Sequence, residues 1–155
     1  MNVYDRLKEL NIELLPVAAA AGAYASAVRF GDNLIYLSGT GPRQLNGKFE
    51  FVGKVGRDYA LADGYAAARS AGIAILSNLH AVIGDLNRIT KIVKVTGFVN
   101  CTPDFADQPK VINGFSEQML EVFGSAVGAH SRSAIGVAAL PAGIPVEVEM
   151  LVEYK

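Results

Sequence analysis

Tryptophan is absent from the chain and cysteine occurs once, at Cys101. A single cysteine excludes an internal disulfide and a cysteine-rich zinc site. Histidine is nearly as scarce: His80 and His130 are far apart in sequence, so no histidine-built metal centre is expected. Charge is sparse too, at 19% of residues against 51% hydrophobic, with a formal net charge of -1. Without a basic excess there is no overall field to draw the protein to nucleic acid. Glycine, asparagine and charged residues interrupt every apolar run, so no membrane span is expected. Met1 to Arg6 lacks the basic and apolar regions of a secretory signal. Two catalytic motifs are missing as well. Ser38 has no Gly-x-Ser-x-Gly elbow around it, and Gly39-Thr40-Gly41 is not followed by the Gly-Lys-Ser/Thr of a phosphate loop. The expectation is one cytoplasmic domain over residues 1–155. The apolar excess of this small domain suggests buried contacts between subunits.

What the chain does contain alternates clearly. Val3 to Leu10 has helical spacing, and Pro16 stops any continuation. The alanine-rich stretch from Val17 to Ala23 reads as loop or edge. Ala25–Phe30 and Leu34–Ser38 flank Gly31-Asp32-Asn33 as a hairpin. Arg43 to Gly56 reads as a surface loop with a small hairpin at Asn46-Gly47. Apolar residues recur at three- and four-residue steps from Asp58 to Ile83, predicting a long helix before Gly84. Lys91–Asn100 is a strand. Asp107 and Pro109 then open a second long helix, ended by Gly124. The last two strands lie around Arg132–Val137 and Val146–Met150. This order predicts an α+β domain in which two long helices cover one face of a single mixed sheet. The other face should pack between subunits.

The closing strands carry charge inside apolar sequence, where it is costly unless exposed, paired or used. Alternation puts Val146, Val148, Met150 and Val152 together and Glu147, Glu149 and Glu153 on the other side. With the apolar sets against the helices, Arg132 and Glu147 are expected on the opposite face, on neighbouring strands. Arg132 could pair with a protein carboxylate or hold a substrate carboxylate with its planar fork. Cys101 reads as an incidental thiol and His80 as structural. His130 reads as an exposed or hydrogen-bonded loop histidine, or as a proton donor at a cleft.

From about Pro16 onward the chain resembles the reactive intermediate deaminase (Rid, YjgF-like, endoribonuclease L-PSP-like) family. The resemblance rests on Arg132-Ser133, Leu140-Pro141 and Val146-Glu147-Val148-Glu149. Upstream it rests on Gly22-Ala23-Tyr24, Leu37-Ser38-Gly39 and Phe98-Val99-Asn100, with Phe105 and Asn113. The leading helix and Gly128-Ala129-His130-Ser131-Arg132-Ser133-Ala134 look like a longer branch. The resemblance implies a chorismate-mutase-like fold and a homotrimer with sites between subunits. It also implies hydrolysis of enamines and imines of 2-amino acids to 2-keto acids and ammonia, with no metal or organic cofactor. By the same resemblance, Arg132 clamps the substrate carboxylate and Glu147 handles the water or its proton. Tyr24, Ser38, Gly39 and Asn113 line the pocket. Ala134 stands where the family often has cysteine, Ala23 where it has proline, and His130 where it has an apolar residue. These departures bear on substrate choice. The alternatives are a non-catalytic binder of keto or amino acids using the same arginine pocket, and a ribonuclease, which the low charge disfavours.

Overall fold

Asn2 caps the first helix, α1 (Val3–Glu9), by accepting the Tyr4 amide N–H on Oδ1 at 2.9 Å. Tyr4 then fastens α1 to the body. Its hydroxyl accepts the Leu86 N–H at 2.9 Å and bonds His80 Nδ1 at 2.9 Å, the structural use of His80 expected from sequence. The computed structural model describes residues 2–17 and 22–155. Part of the alanine-rich stretch, residues 18–21, lies outside them.

The predicted hairpin forms as β1 (Ala27–Phe30) and β2 (Leu34–Thr40), and the small one as β3 (Gln44–Leu45) and β4 (Lys48–Phe49). α2 (Leu61–Ile83) begins later than predicted because Asp63 Oδ2 accepts the Ala60 N–H at 2.9 Å and closes the first turn there. β5 (Ile89–Asn100) crosses the sheet, and α3 (Gln108–Gly128) returns along it. Asp107 sits at the N-cap position of α3, but its carboxylate pairs with Lys110 at 3.0 Å instead of capping a backbone N–H. Gly124 interrupts α3 rather than ending it: at φ 74° it breaks the helical geometry, and one more turn follows to Gly128. β6 (Ser131–Val137) and β7 (Val146–Tyr154) close the chain.

The main sheet has the order β1-β2-β7-β5-β6. β5 and β6 run parallel because α3 carries the chain from the end of one back to the start of the other. The remaining pairs are antiparallel, so the sheet is mixed, as expected. α2 and α3 cover one face. Val146, Val148, Met150 and Val152 of β7 are fully buried there with Ile75, Leu76 and Leu79 of α2 and Val111, Ile112 and Phe115 of α3. Each such side chain contributes roughly 1.5–3 kcal/mol by leaving water. Among the described residues α2 alone is long and apolar enough to cross a membrane, whereas the sequence reading predicted a helix there and expected no span. Over half of its most apolar window is buried in this core, as in the central helix of a folded domain.

The sheet order corrects one expectation. β6 and β7 are not neighbours, because β5 runs between them. The loop from Ala138 to Pro145 carries the chain over the end of β5 instead of turning a hairpin. Arg132 also lies on the other face from Glu147. It pairs with Val95, which is fully buried on the helix side, whereas Glu147 pairs with Phe98 on the uncovered side. The reason is size. Ala134 and Gly136 are the residues of β6 small enough to lie under α3, so Ile135 is turned outward at 45% exposed. Val28, Phe30 and Tyr36 stand on that same uncovered face at 56, 44 and 42% exposed.

Candidate functional site

α3 and β6 build the arginine end. Arg132 lies on the edge strand with its guanidinium turned onto α3. Nη1 donates to Asn113 Oδ1 at 2.8 Å and to Ser116 Oγ at 3.1 Å, and Nη2 donates to the Pro109 carbonyl at 3.3 Å. Asn113 and Ser116 are one helical turn apart, hence on one face of α3. Three of the five guanidinium N–H groups are thus spent on neutral acceptors. Nε–H and one Nη2–H remain, a pair of the kind that grips a carboxylate through both oxygens. No carboxylate among the described residues forms an ion pair with Arg132. Partial burial pulls its pKa below the usual guanidinium value.

His130 joins this network at one remove. Its Nδ1 lies 2.6 Å from the Gly128 carbonyl, which can only accept, so Nδ1 carries a hydrogen. In the neutral ring Nε2 then accepts from Ser116 Oγ–H, at 2.9 Å. One chain of bonds therefore runs Arg132 to Ser116 to His130 to Gly128. Burial, then the charges of Arg132 and Lys91, holds the histidine below its ordinary pKa, against the opposing pull of the Gly128 carbonyl.

The carboxylate end forms at a fault in β2. Leu37 pairs with Met150 and Thr40 with Val148, so β2 holds one more residue than β7 across this interval, a β-bulge at Ser38-Gly39. Glu147 occupies the space that the bulge opens. A Cβ on residue 39 would collide with Glu147 Oε1, so a side chain there would displace the carboxylate from this position. Ser38 Oγ donates to the Ala25 carbonyl at 2.6 Å, and Tyr24 is 54% exposed beside it. Tyr24, Ser38, Gly39 and Glu147 all line one cavity of about 650 Å³. Burial, then the charge of Glu149, raises the pKa of Glu147 above the ordinary carboxylate value. Glu149 in turn accepts the Tyr36 hydroxyl at 3.1 Å.

Within one chain the structure thus gathers Tyr24, Ser38, Gly39 and Glu147 at one place and Asn113, His130, Ala134 and Arg132 at another. β5 lies between Glu147 on β7 and Arg132 on β6, so the two stand on opposite faces and two strand spacings apart, roughly 10 Å across the sheet, with Ser38 and Gly39 one strand further. Ser116 escaped the sequence reading. Its signal was the i, i+3 spacing from Asn113. Cys101 is buried near Gln108 Nε2, apart from both groups, and its thiol has no part in either.

A two-layer α+β domain with an arginine on an edge strand and a glutamate on the central strand, seated at a bulge in its neighbour, defines the class. The chain belongs to the family described as "YjgF/chorismate_mutase-like, putative endoribonuclease", which it matches over residues 4–153. Protein TCP17 of Trypanosoma cruzi is 42% identical over 153 residues, covering 99% of this chain and 94% of that protein. The structure of Atu1372 from Agrobacterium tumefaciens, of unknown function, is 40% identical with a TM-score of 0.90 over 99% of this chain and 92% of that one. A "putative endoribonuclease" from Shewanella oneidensis is 33% identical with a TM-score of 0.93, covering 99% of both chains.

Proposed function

We propose that the protein hydrolyses enamines and imines of 2-amino acids to 2-keto acids and ammonia. The sites form where the Arg132 edge of one copy meets the Glu147 cavity of another in a homotrimer. The observation that carries this reading is the open two-donor fork of Arg132, held rigid by α3 and lacking a carboxylate of its own. The apolar side chains on the uncovered sheet face support association between copies. The count of three rests on the family resemblance.

The chemistry suits these groups. The imine carbon is electrophilic, so a fixed carboxylate and one positioned water supply most of the needed help. Burial and the charge of Glu149 favour the protonated form of Glu147 more than in a free carboxylate. Glu147 as the acid hands its proton to the imine nitrogen. As the carboxylate it takes one from the attacking water while the C–O bond forms. In the second half it returns that proton to the amine and takes the hydroxyl proton as the C–N bond breaks. Ammonia leaves, the keto group forms, and Glu147 is restored.

The test is release of 2-keto acid from a freshly generated 2-imino acid, with and without the protein. The expected result is acceleration that Arg132→Ala removes. No acceleration with imino acids of small, bulky or charged side chains would sink the reading.

Binding of keto or amino acids without turnover is the second reading, favoured by how fully α3 fixes Arg132 before any ligand arrives. Stabilisation by a keto acid with no turnover would select it. Endoribonuclease activity, named for the Shewanella relative, draws less support. The net charge is -1, and Arg43, a basic residue lining the cavity, is already paired to Glu50.

A further inference from the structure

The cavity at the bulge is larger than the reaction at its mouth requires, and its inner part has a character of its own. β1 pairs with β2 only from Leu34 to Leu37, so beyond the bulge β2 has no strand on its outer side. The cavity uses this gap. From Glu147 it continues round the edge of the sheet to α2, where Ala74 and Asn78 line it, with Leu15 and Pro16 of the N-terminal segment also in its wall. The Leu15 amide N–H donates to Ser77 Oγ at 3.0 Å, which ties that segment to α2.

The inner wall is mainly apolar, with Leu15, Pro16, Phe49, Ala74 and Ile144 contributing. The charged lining residues are Glu147 at the mouth and Arg43. Arg43 is spent: Nε and Nη2 reach the two oxygens of Glu50 at 2.7 and 3.0 Å, and Ser70 Oγ donates to the same carboxylate at 2.6 Å. A charged side chain entering this space would lose water and gain no free counter-charge. Uncharged polar lining remains at Ser26, Gln44 and Ser77, and where Asn78 Nδ2 donates to Thr40 Oγ1 at 3.3 Å. The volume of about 650 Å³ is ordinary for a site that encloses a small molecule and far beyond what a methyl group fills.

We infer that the preferred substrates carry a bulky, uncharged, mainly apolar side chain, lodged between the edge of β2, α2 and the segment at Leu15-Pro16. This inference rests on the proposed reaction at Glu147 and names which 2-imino acids it takes. The N-terminal segment thereby becomes part of the specificity pocket.

The experiment compares imino acids generated from leucine, alanine and glutamate, with wild-type protein and with Ala74→Phe, which fills the inner cavity from α2. The expected kcat/KM for the leucine-derived imine exceeds the other two by about ten- to a hundredfold, and Ala74→Phe collapses that preference. Circular dichroism verifies that the variant is folded, and Ala74→Leu replaces it if it is not. A wild-type preference within twofold, or one unchanged in the folded variant, overturns the inference. A second arm measures affinity for the corresponding keto acids, 4-methyl-2-oxopentanoate against pyruvate and 2-oxoglutarate. If no imino acid is turned over, the deaminase reading fails and these affinities alone decide. Tighter binding of 4-methyl-2-oxopentanoate, lost on filling the cavity, supports the pocket. Equal or absent binding overturns it.

Discussion

At the α3–β6 edge a cation is held by three neutral acceptors, whereas at the β2 bulge a carboxylate sits in a space left by a missing side chain. Arg132 has its geometry fixed and its charge unanswered. Glu147 has its charge disfavoured by burial and by Glu149. The first arrangement suits orientation, because a guanidinium held by three bonds presents its remaining donors in one direction. The second suits proton transfer, because a carboxyl with a raised pKa gains and loses its proton nearer neutrality. Neither end can do the other's work, and one chain does not bring them together.

The comparison is sharpest if the two ends come from different copies. Arg132→Ala and Glu147→Gln should each lower kcat/KM by about a hundredfold or more, since each removes a charge-assisted contact made to the reacting molecule. Mixed assemblies of the two variants should then regain activity, roughly a quarter of wild type for equal mixing, as some interfaces hold an intact arginine and an intact glutamate. A mixture as inactive as its parents would break the comparison.

Glu147→Gln should also be more stable than wild type at pH 7. The folded state raises this pKa, so folding is penalised above the unfolded value of 4.5 and most fully above the folded one. Removing the charge should raise the melting temperature by up to about 3 °C at pH 7 and by less at pH 4. An unchanged melting temperature at pH 7 would show that the carboxylate costs the fold nothing.

Ser116→Ala should act on the arginine end alone. It deletes one of three bonds holding the guanidinium, so KM should rise about five- to tenfold with kcat nearly constant. A fall in kcat with KM unchanged would contradict an orienting role.

The smallest effect is expected at His130. Its folded pKa lies below the ordinary 6.5. As pH falls through 6.5 the unfolded chain takes up a proton that the folded chain refuses, so stability is lost below that point and none is lost above it. His130→Gln should flatten the decline in melting temperature between pH 7.5 and 5.5. A slope equal to that of wild type would place the sensitivity elsewhere.

Much of this was legible in the sequence, for reasons that differ by region. The alternation in β7 is strict, so the buried valines and outward glutamates could be assigned residue by residue. The long helices followed from their apolar spacing, and the turn at Asn46-Gly47 from its residue types. β6 failed because Ala134, Ile135, Gly136 and Val137 alternate in size rather than polarity. Which side faced the helices was decided by the room beneath α3, a tertiary fact. The adjacency of β6 and β7 failed because a short connecting segment suggests a hairpin, whereas β5 had already taken the place beside β7. Sequence resemblance assembled Tyr24, Ser38, Gly39 and Glu147, which do lie together. It could not reveal the bulge that lets them.

That bulge is also a change of parity. Before it, the odd-numbered residues Ile35 and Leu37 point to the helices and the even-numbered Tyr36 points away; after it, Thr40 pairs with the helix-facing Val148. One strand thereby serves two surfaces, and the count of residues, more than their identity, sets which surface each one reaches. Losing a single position here would leave Thr40 opposite Val148 but remove the bulge, and with it the space that Glu147 occupies. The core upstream would keep its pairing with β7. The most damaging change to this region is therefore one of chain length, and a tally of substitutions would not disclose it.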